Sequence, residues 1–239
     1  MTIATTRTVS AMWRDSGALA PTVPQSPALA PSPEPQGPSR GLDIPAGLRR
    51  RIDRVIAASS LVATGPVLDM REFAWTALLR DHWRTIRDEA VTALSGGPQP
   101  AGRVLTLWSR DGDTPAPCPQ THRIVSTIPG LDSAALAILP PGVHHAIRRG
   151  ATKGLITCHL GLVVPRDGDV RMRVGDRVVR WSEGETLVFD DTYDHEVWNE
   201  ASGTRIVLRI RFDRPLRNPG KWVADRVRRL PGLRSADEA

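Results

Sequence analysis

The sequence has 239 residues, 40% of them hydrophobic and 24% charged, which is enough apolar material to bury a core. It is basic, with 32 Lys and Arg against 26 Asp and Glu and a formal net charge of +6, and nearly all of its basic residues are arginines. This composition excludes a collagen-like or wholly disordered chain, and two cysteines exclude a disulfide framework. We find no apolar run of about 18 residues and no secretory signal, so we expect a cytoplasmic protein without a membrane span.

The N-terminal segment is rich in proline, which fixes φ and removes backbone donors. Seven prolines fall between Pro21 and Pro38, among Ala, Ser and Gln. Little of this segment can be buried, so residues 1–44 are predicted to form a disordered tail. We expect one β domain with entry helices over residues 45–217 and a basic helix or tail over 218–239.

Two helices are predicted before the β region. Residues 45–60 have apolar positions at helical spacing with arginines between them. Residues 73–94 place tryptophans, leucines and an isoleucine on one face, and Gly96-Gly97-Pro98 is expected to end that helix.

Short apolar runs separated by turn residues then follow to the end of the domain. Eight strands are predicted, at 104–108, 123–128, 134–139, 155–164, 170–174, 177–181, 186–189 and 205–212. This pattern favours a mainly β protein, a double-stranded β-helix (a jelly roll of the cupin type) with flanking N-terminal helices.

The C-terminal segment contains an apolar stripe among arginines, from Trp222 to Leu230. Two interpretations stay open: a basic amphipathic helix for membranes or acidic partners, or a terminal helix packed on the sheet, which we favour. The arginines are scattered along the chain and aromatic residues make up only 5%, so no specific nucleic-acid binding is expected.

Histidines are the main candidates for chemistry. His159 lies in an apolar strand and His195 in a loop-like acidic stretch, and we expect them on neighbouring strands separated by a hairpin, where imidazoles suit a metal or anion site. His82, in the long helix, and His122, at the head of a strand, are interpreted as structural. No histidine is followed two places later by Asp or Glu, which argues against the usual two-histidine, one-carboxylate iron site.

Several motifs in fixed order carry a resemblance to a known family. They are residues 159–165, 180–185 and 189–199 followed by Arg205, with 83–90, 118–121 and 139–142 upstream. Together they resemble the aspartyl/asparaginyl β-hydroxylase family from about residue 69 to Leu216. The resemblance implies a double-stranded β-helix that binds iron(II) and 2-oxoglutarate and hydroxylates a carbon with O₂. It also implies iron held by two histidines and no carboxylate.

The resemblance assigns roles to individual positions. His195 matches the second iron-binding histidine and the expected catalytic centre. Arg205 matches the arginine that pairs with the distal carboxylate of 2-oxoglutarate, a role that a planar guanidinium suits. His159 matches a histidine that contacts the other end of the cosubstrate.

The sequence departs from the family at the first iron ligand. Eleven residues before His159 the expected histidine is Arg148, whose protonated guanidinium has no lone pair for a metal. Thr157 and Ala137 stand where a cosubstrate-binding arginine and serine are common, so both cofactors are in question.

Three interpretations remain open. His145 or His144 replaces the missing ligand, or His159 and His195 together hold the metal, or the protein has lost iron chemistry and Arg148 with Arg149 favours an anionic ligand. We expect an iron(II)/2-oxoglutarate-dependent hydroxylase-like oxygenase with metal ligands His195 and His145, acting on an amino-acid, peptidyl or secondary-metabolite substrate. The alternative is a repurposed or metal-free member that binds an anionic ligand. Asp190 and Asp191 are predicted either to orient His195 or to cap the turn.

Overall fold

The structure, a computed structural model, describes residues 46–95, 104–110, 112 and 117–229. The predicted tail at 1–44, the helix stop at Gly96-Gly97-Pro98 and the last ten residues lie outside this part of the chain.

The β domain consists of short antiparallel strands, ten of them within the described residues. They are β1 (Val67–Leu68), β2 (Val104–Ser109), β3 (Leu131–Leu139), β4 (His144–Arg148), β5 (Leu155–Val163), β6 (Val170–Val174), β7 (Arg177–Arg180), β8 (Thr186–Phe189), β9 (His195–Asn199) and β10 (Arg205–Asp213).

The strands form two sheets that face each other. The larger sheet has the order β1-β8-β5-β10-β3-β2, and the smaller has the order β4-β9-β6-β7. Crossing between the two sheets along the chain is the arrangement of a jelly roll, so the predicted fold class is confirmed.

Five α-helices accompany the sheets in the described part of the chain. They are α1 (Ala46–Ala58), α2 (Thr76–Asp81), α3 (Trp83–Leu94), α4 (Pro119–Ser126) and α5 (Gly220–Arg228), with a 3₁₀ turn at Met70–Glu72.

The larger sheet is covered on both faces. Leu136, Leu160 and Leu208 on one face pack with Ile86 and Leu79 from the helices in the main apolar core. The other face meets the smaller sheet across a second apolar cluster that consists of Leu139, Val170, Met172, Val174, Trp181, Phe189, Val197, Ala201 and Val207. Because β5 is buried on both faces, its sequence is apolar almost throughout.

The long helix predicted at 73–94 is instead two helices. His82 separates them with φ −103° and ψ 9°, outside the helical region. Leu79 before the break and Ile86 after it are both fully buried. The helical spacing of apolar residues therefore continues across His82, although the helical backbone conformation is interrupted there. His82 therefore lies between helices rather than within one.

The strand predicted at 123–128 is wrong, because residues 123–126 belong to α4 and 127–128 form the turn that follows it. Pro119 occupies the first turn, where a missing N–H costs nothing. The Glu89 carboxylate accepts bonds from the backbone N–H groups of Gln120 (2.9 Å) and Thr121 (2.8 Å), which caps the helix. His122 accordingly lies in a helix.

The C-terminal helix packs mainly against α1, and its Arg228 bonds Asp213 at the end of β10. The N–H of Gly220 donates to Ser59 Oγ at 3.1 Å, and a Cβ at Gly220 would lie 2.3 Å from the Ser59 Cβ. Ala224 and Val227 are buried, whereas Trp222 is 64% exposed. No helix within the described residues is long and apolar enough to cross a membrane.

Candidate active site

A pocket opens between the two sheets, and it contains five of the residues that the sequence singles out: Arg148, Thr157, His159, Asp191 and His195. It is lined by Arg148, Thr157, His159, Met172, Phe189, Asp191, His195, Val197, Arg209 and Arg211. These side chains come from β4, β5, β6, β8, β9 and β10 and the turn after β8, so the pocket depends on both sheets.

His159 and His195 lie on facing sheets, so the prediction of neighbouring strands is wrong. His159 belongs to β5 of the larger sheet, and His195 begins β9 of the smaller one. The stretch before Asn199, predicted as a loop, becomes a strand at His195 because β9 pairs with both β4 and β6.

The ring of His195 is oriented by the backbone. Its Nδ1 donates to the carbonyl of Tyr193 at 3.1 Å, since a carbonyl can only accept. In the neutral ring, Nε2 then carries the lone pair. A backbone carbonyl on the other nitrogen is the usual support of a metal-binding histidine.

His159 has the opposite tautomer. Its Nδ1 accepts the indole N–H of Trp181 at 3.3 Å, so the proton of the neutral ring resides on Nε2. Burial, followed by the charge of Arg205, lowers the pKa of His159 well below its usual value and keeps the ring neutral. His159 is therefore suited to donate a hydrogen bond to an anion, and not to share a metal with His195.

Gly161 allows Trp181 to reach His159. A Cβ at Gly161 would lie 2.3 Å from the carbonyl oxygen of Ser182, so only glycine permits this approach. Gly161 also accepts a bond from the N–H of Gly184 at 2.9 Å. The turn after Trp181 is thereby fixed against β5.

Arg205 is a buried cation without a hydrogen-bonded anion. It is 4% exposed and lies over the Trp181 ring at 4.5 Å, on the same face of β10 as Arg209 and Arg211. Its Nε and Nη1 have no hydrogen-bond partner within the described residues. Burial, with the charge of Arg148 second, lowers the pKa of Arg205 to about 9. Burying a charged guanidinium with unpaired donors costs free energy of folding unless a ligand supplies an anion to compensate it.

Arg148 faces His195 directly. In the β4–β9 pairing Arg148 is opposite His195 and His145 is opposite Val197, so one extra residue of β4 is accommodated between them. Cross-strand partners point to the same face, so Arg148 and His145 both point towards the space between the sheets.

The two adjacent histidines of β4 point in opposite directions. His144 lies on the outer face, where its ring stacks on Trp198 at 4.9 Å and its Nε2 contacts Glu196 at 3.2 Å. His145 shares the inner face with Val197, and burial and the charge of Arg148 lower its pKa to about 4. Only His145 of this pair is placed to serve the pocket.

A dicarboxylate fits these residues better than an iron ion does. Arg205 offers unpaired donors and His159 offers an Nε2 proton, which together suit two carboxylates. For iron, His195 and His145 lie on the same face of the smaller sheet. Arg148, the cross-strand partner of His195, points to that face as well and brings a positive charge to it. No group of three His, Cys, Asp or Glu side chains suited to a metal occurs among the described residues.

The two aspartates before His195 have separate roles. Asp190 accepts the N–H of Thr192 at 3.1 Å, which is the turn cap, and bonds Lys153 and Arg214. Asp191 lines the pocket and accepts the hydroxyl proton of Thr157 at 2.8 Å. Thr157, where the family commonly has an arginine, thus points into the pocket.

Trp181, Arg209 and Arg211 are functional-site residues that the sequence motifs do not single out. The available signal for Trp181 was its position in the 180–185 motif. Arg209 and Arg211 alternate with apolar residues along β10, which places them with Arg205 on one face.

Known proteins resemble this chain in sequence over most of its described length. The family model for aspartyl/asparaginyl beta-hydroxylase matches residues 80–215. An ornithine lipid ester-linked acyl 2-hydroxylase from Rhizobium tropici is 33% identical over 235 residues, which is 85% of this chain and 82% of that protein. The aspartyl/asparaginyl beta-hydroxylase of Homo sapiens is 29% identical over 161 residues, covering 58% of this chain but 21% of the human protein.

The fold is that of a jelly-roll protein with its pocket between the sheets. The chain belongs to the aspartyl/asparaginyl β-hydroxylase family, as the resemblance of its motifs implied.

Solved structures also resemble the fold at low similarity. The protein TT1209 from Thermus thermophilus aligns with a TM-score of 0.35 and 16% identity, over 52% of this chain and 95% of that one. A Cupin_2 domain of an XRE family regulator from Enterobacter cloacae aligns with a TM-score of 0.34 and 15% identity, over 47% and 97%.

Proposed function

We propose that this protein is an iron(II)/2-oxoglutarate-dependent hydroxylase-like oxygenase. The observation that carries the proposal is Arg205, a buried guanidinium with two nitrogens that lack hydrogen-bond partners in the described structure. An anionic cosubstrate would compensate this charge, and family membership makes 2-oxoglutarate the first candidate.

In this proposal the residues of the larger sheet hold the cosubstrate. Arg205 binds one carboxylate of 2-oxoglutarate through its unpaired nitrogens. The Nε2–H of His159 donates a hydrogen bond to the other end of the cosubstrate. Trp181 positions both groups, because its ring lies under Arg205 and its N–H holds His159. The apolar side chains of Met172, Phe189 and Val197 limit the access of water to the pocket.

The metal would be held from the smaller sheet, by Nε2 of His195 together with His145. When bound, iron(II) with 2-oxoglutarate and O₂ supplies the oxidation that hydroxylates a C–H bond. The carbonyl of Tyr193 keeps Nδ1 of His195 protonated in the neutral ring, so that Nε2 carries the lone pair that a metal would use.

We propose the acyl chain of an amino-acid-containing lipid as the substrate. The relative from Rhizobium tropici, whose name specifies 2-hydroxylation of the ester-linked acyl chain of ornithine lipid, aligns over 85% of this chain. The sequence-based classes were amino-acid, peptidyl and secondary-metabolite substrates, and an ornithine-type lipid combines an amino acid with a fatty acyl group.

A second candidate is a metal-free pocket for an anion, favoured by Arg148. Arg148, Arg209 and Arg211 all line the pocket, and Arg205 lies on the same face of β10. A cation bound at His195 would meet the charge of Arg148, whereas an anionic ligand would be attracted by it.

The test is anaerobic titration of the full chain with 2-oxoglutarate, with and without iron(II), followed by O₂ and assays for succinate and a hydroxylated ornithine lipid. We expect binding, succinate and product. Arg205→Gln should weaken 2-oxoglutarate binding by about a hundredfold, since a charged hydrogen bond contributes up to about 3 kcal/mol.

Arg177→Gln, at an exposed arginine on β7, is the matched control and should bind as the wild type does. Binding of 2-oxoglutarate without metal dependence or succinate would favour the anion-binding candidate. Succinate without hydroxylated lipid would retain the oxygenase and reject the substrate. The absence of any metal-dependent binding and of succinate would refute the oxygenase.

A further inference from the structure

Helices α1 and α5 carry several large apolar side chains that are exposed. Seven large apolar side chains are exposed among the described residues, and four of them belong to α1, α5 or the residues just after α1: Leu48, Val55, Leu61 and Trp222. Trp222 and Leu61 are the most exposed of the seven, at 64% and 63%. Clustering of this kind marks an interaction surface, whereas single exposed apolar residues need no explanation.

The same surface is strongly basic. Arg50, Arg51 and Arg54 are exposed on α1, beside Leu48 and Val55 on the outward half of the helix. No exposed residue of α1 is acidic: its single carboxylate, Asp53, is half-buried, and burial raises the pKa of Asp53.

Helix α5 extends this surface. Trp222 lies one helical turn before Arg226, whose guanidinium is 5.9 Å from its ring, and both are exposed. Because Gly220 packs directly on Ser59 at the end of α1, the two helices form one structural unit. We call the exposed residues Leu48, Arg50, Arg51, Arg54, Val55 and Trp222 the basic face.

The helix that carries most of the basic face is attached to the loop that leaves the pocket. Nη2 of Arg49 donates to the carbonyls of Gly150 (2.7 Å) and Ala151 (2.9 Å). Those residues follow Arg148, which lines the pocket, and Ile147, which is 57% exposed. Arg49 projects from the side of α1 opposite the basic face, so a surface bound by that face would lie ~10 Å, one helix diameter, from this edge of the pocket.

We propose that the basic face docks on an anionic lipid bilayer, where the apolar residues enter the interface and the arginines meet lipid phosphates. The combination of an exposed tryptophan, aliphatic residues and arginines with no exposed carboxylate on α1 is the chemistry of an interfacial helix. The inference rests on the proposed lipid substrate, because docking would bring the pocket to the membrane in which such a lipid resides.

The test is co-sedimentation of the full chain with vesicles of phosphatidylcholine alone and of phosphatidylcholine with phosphatidylglycerol, both without ornithine lipid. We expect binding to the anionic vesicles that weakens as salt is raised. Arg50→Glu/Arg51→Glu should lower the partition coefficient at least about tenfold, since each arginine near an anionic surface contributes about fivefold. Trp222→Ala should lower it several-fold.

Arg177→Glu/Val178→Ala is the matched control, since it changes an exposed arginine and an exposed apolar residue on β7, and it should bind as the wild type does. Equal binding to both kinds of vesicle, or equal loss in the control, would overturn the proposal. So would a wild-type dimer in light scattering that Trp222→Ala dissociates without any effect on vesicle binding.

Hydroxylation is measured separately, with ornithine lipid dispersed in detergent micelles. If docking is correct, the basic-face variants lose vesicle binding yet retain turnover in micelles. Vesicle binding by an inactive wild type would refute the proposed function and leave docking supported. Turnover in micelles without vesicle binding would refute docking alone.

Discussion

Arg148 stands where the motif resemblance implies an iron-binding histidine, and its position in the structure gives that difference a physical meaning. It is the cross-strand partner of His195, and it lines the same pocket. Its charge contributes to the lowered pKa values of His145, His159 and Arg205. The pocket therefore favours anions and neutral imidazoles, and it disfavours an additional cation.

Replacing this arginine should improve metal binding. Arg148→His introduces an imidazole opposite His195 and removes a positive charge, so we expect iron(II) affinity, measured by anaerobic titration, to rise at least about tenfold. Arg148→Gln removes the charge alone and should give a smaller gain. The expectation fails if Arg148→His binds iron no more tightly than Arg148→Gln does.

At the residue scale the sequence identified residues that the structure places at the pocket or beside it, but not how they are arranged. The motif order identified His159, His195 and Arg205, and the structure brings the two histidines to one pocket and Arg205 to the adjoining face of β10. The sequence could not show which of His144 and His145 points to the pocket. Adjacent strand residues point to opposite faces, and the register depends on where the extra residue of β4 is accommodated. Trp181 reaches His159 only through a tertiary contact at Gly161.

At the scale of elements, the pairing of β4 with β9 positions His145, Arg148 and His195. Asn199, the last residue of β9, supports this pair. Its Nδ2 donates to the carbonyls of Leu139 (2.9 Å), Pro140 (3.0 Å) and Gly203 (2.9 Å). Its Oδ1 accepts the N–H of Ala201 at 3.3 Å. One buried amide therefore links the turn before β4 to the loop after β9.

Asn199→Ala should destabilise the protein by roughly 2–3 kcal/mol, because it leaves buried carbonyls without donors. The measurement is the free energy of unfolding from urea titration followed by tryptophan fluorescence. Ser126→Ala, which removes an exposed hydroxyl bond to the Arg123 carbonyl, is the control and should change it by less than about 0.5 kcal/mol. A loss for Asn199→Ala no larger than that of the control would contradict this role.

The elements themselves were only partly predictable. Strand β5 is a nearly continuous apolar run, and β10 alternates apolar residues with arginines towards its end. Both were identified because their burial is recorded in their composition. Helix α4 was mistaken for a strand because its cap comes from Glu89, which is remote in sequence. β9 was missed because it begins in an acidic stretch whose charges are neutralised by arginines from elsewhere, as Arg149 does for Asp194.

At the scale of the whole molecule, a buried charge network connects the segment that follows α1 to the β domain. Arg214 donates to Asp190 at 2.5 Å, to the carbonyl of Lys153 at 2.8 Å and to the carbonyl of Ala63 at 3.2 Å. Lys153 also bonds Asp190 at 2.9 Å. The side chains of Arg214 and Asp190 are both fully buried, so each depends on the other for compensation.

Removing one charged partner of this network should destabilise the protein strongly. Arg214→Met leaves Asp190 with one cation fewer and removes the donor to the carbonyls of Lys153 and Ala63, so we expect a loss of about 3–5 kcal/mol in the free energy of unfolding. The double variant Asp190→Asn/Arg214→Met should lose clearly less stability than the sum of the single variants, because it removes both buried charges.

Arg110→Met, at the half-exposed pair with Asp213, is the matched control and should lose only about 1 kcal/mol. Additive single losses would show that the two residues act independently. The connection between α1 and the pocket would then rest on Arg49 rather than on the charge network.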